Sequence, residues 1–574
     1  MEYKYVGYYY ILLILVIGCK TGNIKSQKNK QENLKTWHQK DYNTDKLPGI
    51  SLEKFLSKSK SLKSNNQIIV AVLDTQIDTN HEDLKDAIWV NTDEIPNNKI
   101  DDDKNGYVDD INGWNFIGTK SGDYTVWGNF EYTRIVRDYT PVFKDKKREE
   151  IAAGDLFKYD EYLRALKYQD KWSTYYTNFL KSLKYNTLLY PSAKDTLKYY
   201  FPKEDYTLKQ LDSVYNLYKK NNKTYKERRN SGDTDFASLV LMMKVNLELY
   251  KDFEELNDKR TQLDSIANKN LNINYNERIS IGDNEKVLEK GYGNGKINSK
   301  LAGTRRLFGH STKVSSIIAA NRKNNIGIKG FSDNIKIMPL SISPSGDESD
   351  KDVAASIYYA VDNGAKVINM SFMKEFSLHP EWVIEAMQYA EKHNVLLVHG
   401  SGNDAFDIDT NPTYPNDYYY DGKEEVCGNL ISVGSISSRV DSTFVSDFSN
   451  YGKKNVDLFA PGENIYTAIP ENEYESGSGT SLSAPMVSGT AALIWLYYPN
   501  LTVQEVKQII LDSGTAYDIE VLIPGEKGKK THFRELSKTG KVLNVYNAME
   551  LAKKISKTKS EEKKNKPQGI SYRN

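Results

Sequence analysis

Cysteine is nearly absent, with Cys19 and Cys427 the two in 574 residues, and this excludes a small disulfide-stapled scaffold. Net charge is missing too. The 78 Lys and Arg offset 77 Asp and Glu to leave +1, so the electrostatic footprint of a nucleic-acid binder is absent and no nucleic acid is expected as a partner. The 41 tyrosines are spread evenly and mark no stacking surface. Long apolar runs are also lacking. The stretch from Tyr8 to Ile17 is about half of the ~20 residues a membrane-spanning helix needs, which favours a cleaved export signal over a transmembrane anchor.

That signal occupies residues 1–18, and Val16-Ile17-Gly18-Cys19 resembles the lipobox of bacterial lipoproteins. The resemblance implies that Cys19 is acylated and becomes the mature N-terminus, giving an exported, membrane-anchored lipoprotein at the periplasm or cell surface. The alternative is a plain signal peptide in which Cys19 is incidental. If Cys19 carries lipid, Cys427 has no disulfide partner. Residues 19–45 are polar and Lys/Asn/Gln-rich and read as a solvated tether, with order beginning near Leu47.

Beyond the tether, short apolar runs alternate with helical patterns: QIIVAVLD (67–74), IKIMPLSI (335–342), AKVINMS (365–371), NVLLVHG (394–400) and NLISVGS (429–435). Helix-like stretches at 352–363 and 380–394 lie between them, and such alternation predicts an α/β fold with a mostly parallel central sheet. Reactive groups in open sheets collect at the carboxyl ends of strands, where Asp74, Ser371 and Asn403 fall. Residues 121–289 break the rhythm with 3.6-residue periodicity (Trp172, Tyr175, Tyr176, Phe179; Phe236, Leu239, Val240, Met243, Leu247, Tyr250) and read as a mainly helical insertion whose stripes form core. The catalytic unit is thus expected at 46–120 and 290–554. Residues 555–574 are charged and apolar-poor, and read as a disordered tail.

Three segments have the form that nucleophilic catalysis by serine requires: a hydroxyl, an imidazole to take its proton and a buried carboxylate to orient the imidazole. VAVLDT (70–75) is an apolar strand ending in Asp74, GHSTKVSSIIAA (309–320) opens an amphipathic helix with His310, and GTSLSAPMVSG (479–489) sets Ser481 at the start of a long apolar helix. A helix N-terminus offers unpaired N–H groups and a positive dipole end to a developing oxyanion.

The third segment resembles the serine motif G-T-S-x-x-x-P-x-V-x-G of the subtilisin-like serine peptidases, or subtilases, and the first two resemble that family's aspartate and histidine motifs. The order Asp, His, Ser is the family's own. In VHGSGN (398–403), Asn403 falls where the family keeps its oxyanion-hole asparagine. The resemblance implies a subtilisin-like three-layer fold and a triad of Asp74, His310 and Ser481. It also implies a primary-pocket wall at Ser371, Phe372 and Met373, and a substrate-pairing strand at Ser345 and Gly346. Polypeptides would be the substrates, bound extended along that edge.

The family's glycines are replaced at Gln76, Ser311 and Met373, and Lys313 stands where a second histidine is usual. Glycine often serves a positive φ or a close backbone approach, so these departures keep a catalytically impaired binding or scaffold protein as the alternative to an endopeptidase. A serine esterase is a third reading. Met373 would fill part of the primary pocket and favour small P1 residues. A second site is suggested by DDDKNGYVDD (101–110): Asp101, Asp103, Asn105, Tyr107 (through its carbonyl) and Asp109 stand at calcium-loop positions 1, 3, 5, 7 and 9, with Gly106 at 6. Position 12 is Asn112 rather than a bidentate Glu, so an acidic surface turn is the competing reading. Calcium would be structural, with no cofactor needed for catalysis.

Overall fold

The structure, a computed structural model, describes residues 35–59, 64–298, 309–418 and 424–565. The export signal and Cys19 lie outside them. The chain builds a nine-stranded sheet in the order β2-β3-β1-β4-β5-β6-β7-β13-β10. The principal strands are β1 (Ile68–Asp74), β3 (Ile335–Ser341), β4 (Val367–Met370), β5 (Leu396–Gly400), β6 (Leu430–Ile436) and β7 (Leu458–Pro461). Short strands β2 (Trp114–Asn115), β13 (Lys541–Val542) and β10 (Thr515–Ala516) complete it, and every pairing except β10 with β13 is parallel. β8 (Ile465–Ile469) pairs with β9 (Glu473–Gly477), and β11 (Glu520–Leu522) with β12 (Lys530–His532), as separate hairpins.

Parallel strands need helical crossovers on both faces, so each strand is buried twice over and reads as a continuous apolar run. β1 shows this directly. Val70 and Val72 join one core with Val314 and Ile317 of the His310–Ala319 helix and Met486 and Val487 of the Thr480–Tyr497 helix. Ala71 and Leu73 join the other, with Val353 and Ile357 of the Asp350–Asp362 helix and Met387 of the Pro380–Lys392 helix. The chain leaves β1 for β3 on one side and then crosses to β4 on the other, so the order reverses at β1. The carboxyl ends of β1, β4 and β5 therefore open on one crevice.

The region between β2 and β3 is mainly helical, with Glu131–Phe143, the 42-residue Leu156–Leu197, Phe236–Leu249 and Phe253–Ser265 as its larger helices. Its stripes are core in part. Val240 and Met243 are buried, whereas Tyr175 and Leu247 are about half exposed.

Both expected termini of order move outward. The tether assigned to residues 19–45 is packed from residue 35: Trp37 is buried in the main core and Gln39 Nε2 donates to the Lys329 carbonyl at 2.6 Å. Two aromatics in a polar run, Trp37 in the main core and Tyr42 against Tyr517, anchor it, which composition averaged away. The tail assigned to 555–574 is helical as far as Asn565. Ile555 packs on the core, Ser556 Oγ donates to Asn500 at 2.8 Å, and Lys559 Nζ reaches Glu505 at 2.6 Å. No helix among the described residues is long and apolar enough to cross a membrane.

Candidate active site

Asp74 ends β1, buried, where the strand delivers it to the crevice. The Thr75 N–H donates to its Oδ1 at 2.6 Å, and His310 Nδ1 lies 2.9 and 2.8 Å from its two oxygens. His310 opens its helix, and the next residue's N–H (Ser311) donates to Thr75 Oγ1 at 3.1 Å, so strand end and helix start are joined twice. Burial of the imidazole pulls its pKa down, but the charge and hydrogen bond of Asp74 outweigh this and leave it above its ordinary 6.5. Lys313 subtracts from that rise. Its ammonium is paired with Glu475 at 2.5 Å, and Glu348, across the crevice, adds to it. Burial pushes the Glu348 carboxyl itself up to about 7, and Ser343 Oγ donates to it at 2.6 Å.

Ser481 is the second residue of its helix, and a proline four residues on shapes its surroundings. In a regular helix the N–H of residue 485 would bond the Ser481 carbonyl; Pro485 has none. The freed carbonyl accepts instead from Ser371 Oγ at 2.9 Å. Ser371 in turn accepts from Asn369 Nδ2 at 2.9 Å, and Asn369 Oδ1 accepts from Ser488 Oγ at 2.8 Å. The hydroxyl of Ser371, expected on the wall of the substrate pocket, is thus engaged with the backbone of Ser481.

Asn403 follows β5 on an exposed turn. Its Oδ1 accepts from the Thr480 N–H at 2.8 Å and from Thr480 Oγ1 at 3.2 Å, which fixes the amide so that Nδ2, a donor, is turned away from Thr480. Gly479 lies between nucleophile and amide. A Cβ built there would sit 3.0 Å from Ser481 Oγ and 3.6 Å from Asn403 Nδ2, and φ is +154°, so glycine is required on both counts. A hydroxyl, a fixed amide donor and a helix N-terminus thus converge on one small volume, the arrangement that binds a tetrahedral oxyanion.

Gln76, Ser311 and Met373, which replace motif glycines, are absent from the positive-φ residues, so no left-handed backbone at these points calls for glycine. Met373 reaches across: its Cε lies 2.5 Å from where a Gly402 Cβ would be, so its side chain meets the strand-end wall opposite. Phe372 lines a cavity of about 410 Å³, together with Lys374 and Glu375 of the same wall and Phe157, Arg164 and Tyr168 of the long helix. The expected substrate-pairing strand is corrected in one position. Both backbone groups of Ser345 are taken internally, its N–H by Val126 O at 2.7 Å and its carbonyl by Gly128 N–H at 3.2 Å, while Gly346 has neither group so engaged.

The acidic loop rearranges the expected ligand set. Oxygens of Asp101 and Asp103 lie within 4.8 Å of one another and of Glu94, which sequence spacing had not included. Asn105 donates through Nδ2 to Asp103 and Asp110, and Asp109 turns its carboxylate to the N–H groups of Asn98 and Lys99. Side chains of Asn105 and Asp109 are therefore engaged within the loop. Glu94 is buried, and its pKa is raised by burial against three backbone donors.

The chain belongs to the subtilase family, whose profile matches residues 65–540. It is similar to the cell wall-associated protease of Bacillus subtilis (strain 168), with 32% identity over 220 residues, 38% of this chain and 22% of the relative. It is also similar to the thermophilic serine proteinase of Bacillus sp. (strain AK1), with 34% identity over 189 residues, 33% of this chain and 43% of the relative. The matched region spans less than half of either relative. Among solved structures, a cold adapted subtilisin-like serine proteinase is 25% identical with a TM-score of 0.33, covering 41% of this chain and 74% of that one.

The raised pKa of His310 sets a testable sign. In NMR titration the His310 ring, assigned with a His310→Gln variant, is expected to lose its proton above pH 6.5, and Asp74→Asn is expected to move that transition down. The pairing contributes stability that is fully present below 6.5 and fades as pH rises through the raised value. A His310 transition unmoved by Asp74→Asn would contradict the assignment.

Proposed function

We propose that this protein is an exported serine endopeptidase that hydrolyses polypeptides through an acyl-enzyme on Ser481. Ser481 Oγ attacks the scissile carbonyl as its proton passes to the His310 imidazole, with Asp74 holding the tautomer and stabilising the imidazolium. The Asn403 amide and the Ser481 N–H receive the developing oxyanion. His310 then returns the proton to the leaving amine, and water enters by the reverse route to release the acyl group. The observation that carries this reading is the convergence of Ser481 Oγ and Asn403 Nδ2 on Gly479 at the start of one helix. The backbone at Gln76, Ser311 and Met373 supports this reading over the impaired alternative, because none of the three stands in the left-handed region that favours glycine.

The lipobox-like Cys19 supports anchoring of the enzyme to a membrane through lipid, outside the cytoplasm. Met373 narrows the primary pocket and favours small P1 residues. Glu94, Asp101 and Asp103 would hold a structural calcium ion: oxygens ligating one ion at about 2.3–2.6 Å can stand no more than about 5 Å apart, which this set satisfies.

A fluorophosphonate probe is expected to label the purified chain in a manner abolished by Ser481→Ala; a folded chain that resists labelling would sink the peptidase reading. In a peptide library the wild type is expected to prefer small P1 residues and Met373→Gly to admit aromatic ones, whereas identical profiles would remove Met373 from the pocket. Chelation of calcium is expected to lower Tm by several degrees in the wild type and not in Asp103→Asn. A wild-type Tm indifferent to chelator would remove calcium.

A further inference from the structure

The helical region between β2 and β3 is built into the wall along which a substrate would lie, and we propose that Asn270 is a positioning residue for the substrate main chain. This deepens the peptidase reading and rests on it. Residues 126–129 run alongside residues 345–347. Besides the two Ser345 contacts, the Asp347 N–H donates to Asn129 O at 3.2 Å. In an extended chain the N–H and C=O of one residue point to one side and those of the next to the other. Ser345 and Asp347 are both bonded to the helical region, and Gly346 between them has neither backbone group so engaged and is left to face the other side. Just beyond, Lys374 Nζ donates to Glu348 O at 2.9 Å and to Glu131 at 3.0 Å, so the Ser371–Lys374 wall closes the far end of the ribbon. A substrate strand laid between the two walls would meet Gly346 on one flank.

Two residues make this joint. Asn270 is buried, and its single amide nitrogen donates to Gly128 O at 2.7 Å and Ser345 O at 2.5 Å, bridging both strands. It is delivered by the π-helical stretch Ile266–Asn270; such turns are rare and recur where a side chain must be placed for function. Gly346 permits the approach. A Cβ there would fall 2.3 Å from Gly128 O and 3.0 Å from Asn270 Nδ2, with φ at +151°. The donor pair of Asn270 thus sets how far the Ser345–Glu348 ribbon can lean toward or away from the crevice, and with it the fit of an extended peptide on its far side.

The test uses two substrates on the intact chain: a chromogenic peptide with four residues before the scissile bond, and a single-residue ester that reaches Ser481 alone. Asn270→Asp keeps the shape and turns a donor into an acceptor facing two carbonyls. It is expected to lower kcat/KM for the long substrate about tenfold through KM, with the ester changed less than about twofold. Gly346→Ala is expected to give the same split by steric means, and it decides the matter if Asn270→Asp fails to fold. Equal losses on both substrates, or no loss on the long one, overturn the proposal. Fluorophosphonate labelling separates the two levels: an unlabelled wild type ends the peptidase reading and this inference with it, whereas a labelled enzyme without the length-dependent split ends this inference alone.

Discussion

Burial of the Thr480–Tyr497 helix is the constraint on which the rest of the site depends. Its residues from Leu482 to Leu496 are buried almost without break, and a helix apolar on every side has to be enclosed. The sheet strands β4 to β7, the histidine helix and the Val503–Ser513 helix supply the enclosure. Gly489 lets the Phe331 ring approach so closely that a Cβ would lie 2.3 Å from it. Once the helix is fixed lengthwise, its first turn can only stand at the carboxyl edge of the sheet. Thr480 then captures Asn403, and the carbonyl left free by Pro485 is available to Ser371.

A second set of contacts decides how the helical region relates to the catalytic sheet. Lys374, immediately after the pocket wall, is buried with Nζ 3.0 Å from Glu131 and 2.6 Å from Asp350. Glu131 also pairs with Arg134 at 2.6 Å, and Arg134 with Glu277 at 2.7 Å. Burial works against the charge on each of these groups, but their partners dominate and hold Glu131 below and Arg134 and Lys374 above their ordinary ranges. Such a cluster adds little net stability against an apolar replacement. Breaking one member leaves an uncompensated buried charge, so it enforces one relative placement of the joined pieces. The region is held as part of the same body as the sheet rather than as a loosely tethered lid.

The strands were legible as short apolar runs, and the candidate triad because each member is marked by a few neighbours: an apolar run ending in Asp74, a histidine opening a helix, a glycine two positions before Ser481. Their order along the chain gave the sheet and the crevice together. What was not legible depends on how the chain folds back on itself. Glu94 meets Asp103 only because the loop turns, Glu348 acts on His310 only through space, and Asn270 reaches Ser345 over 75 positions. Nothing local marks any of them. The ends were misjudged for a related reason: Trp37 and Lys559 lie in polar stretches, and each is fixed by one or two specific contacts. The bond from Ser371 to Ser481 was not legible either, because the missing N–H of Pro485 matters only once Ser371 is seen beside Ser481.

The segment before β1 and the final helix touch directly. The Val545 N–H donates to Ile50 O at 2.7 Å, and the Lys54 and Lys58 ammonium groups lie 4.9 and 4.8 Å from the centre of the Tyr546 ring. The two segments are joined by this backbone bond, by the pair of cation–π contacts and by a shared stretch of core that includes Ile50, Leu52, Phe55, Val545, Ala548 and Met549. Loss of the final helix would uncover apolar side chains of the Leu52–Lys58 helix packed against it, so the two segments stand or fall together although about 500 positions separate them.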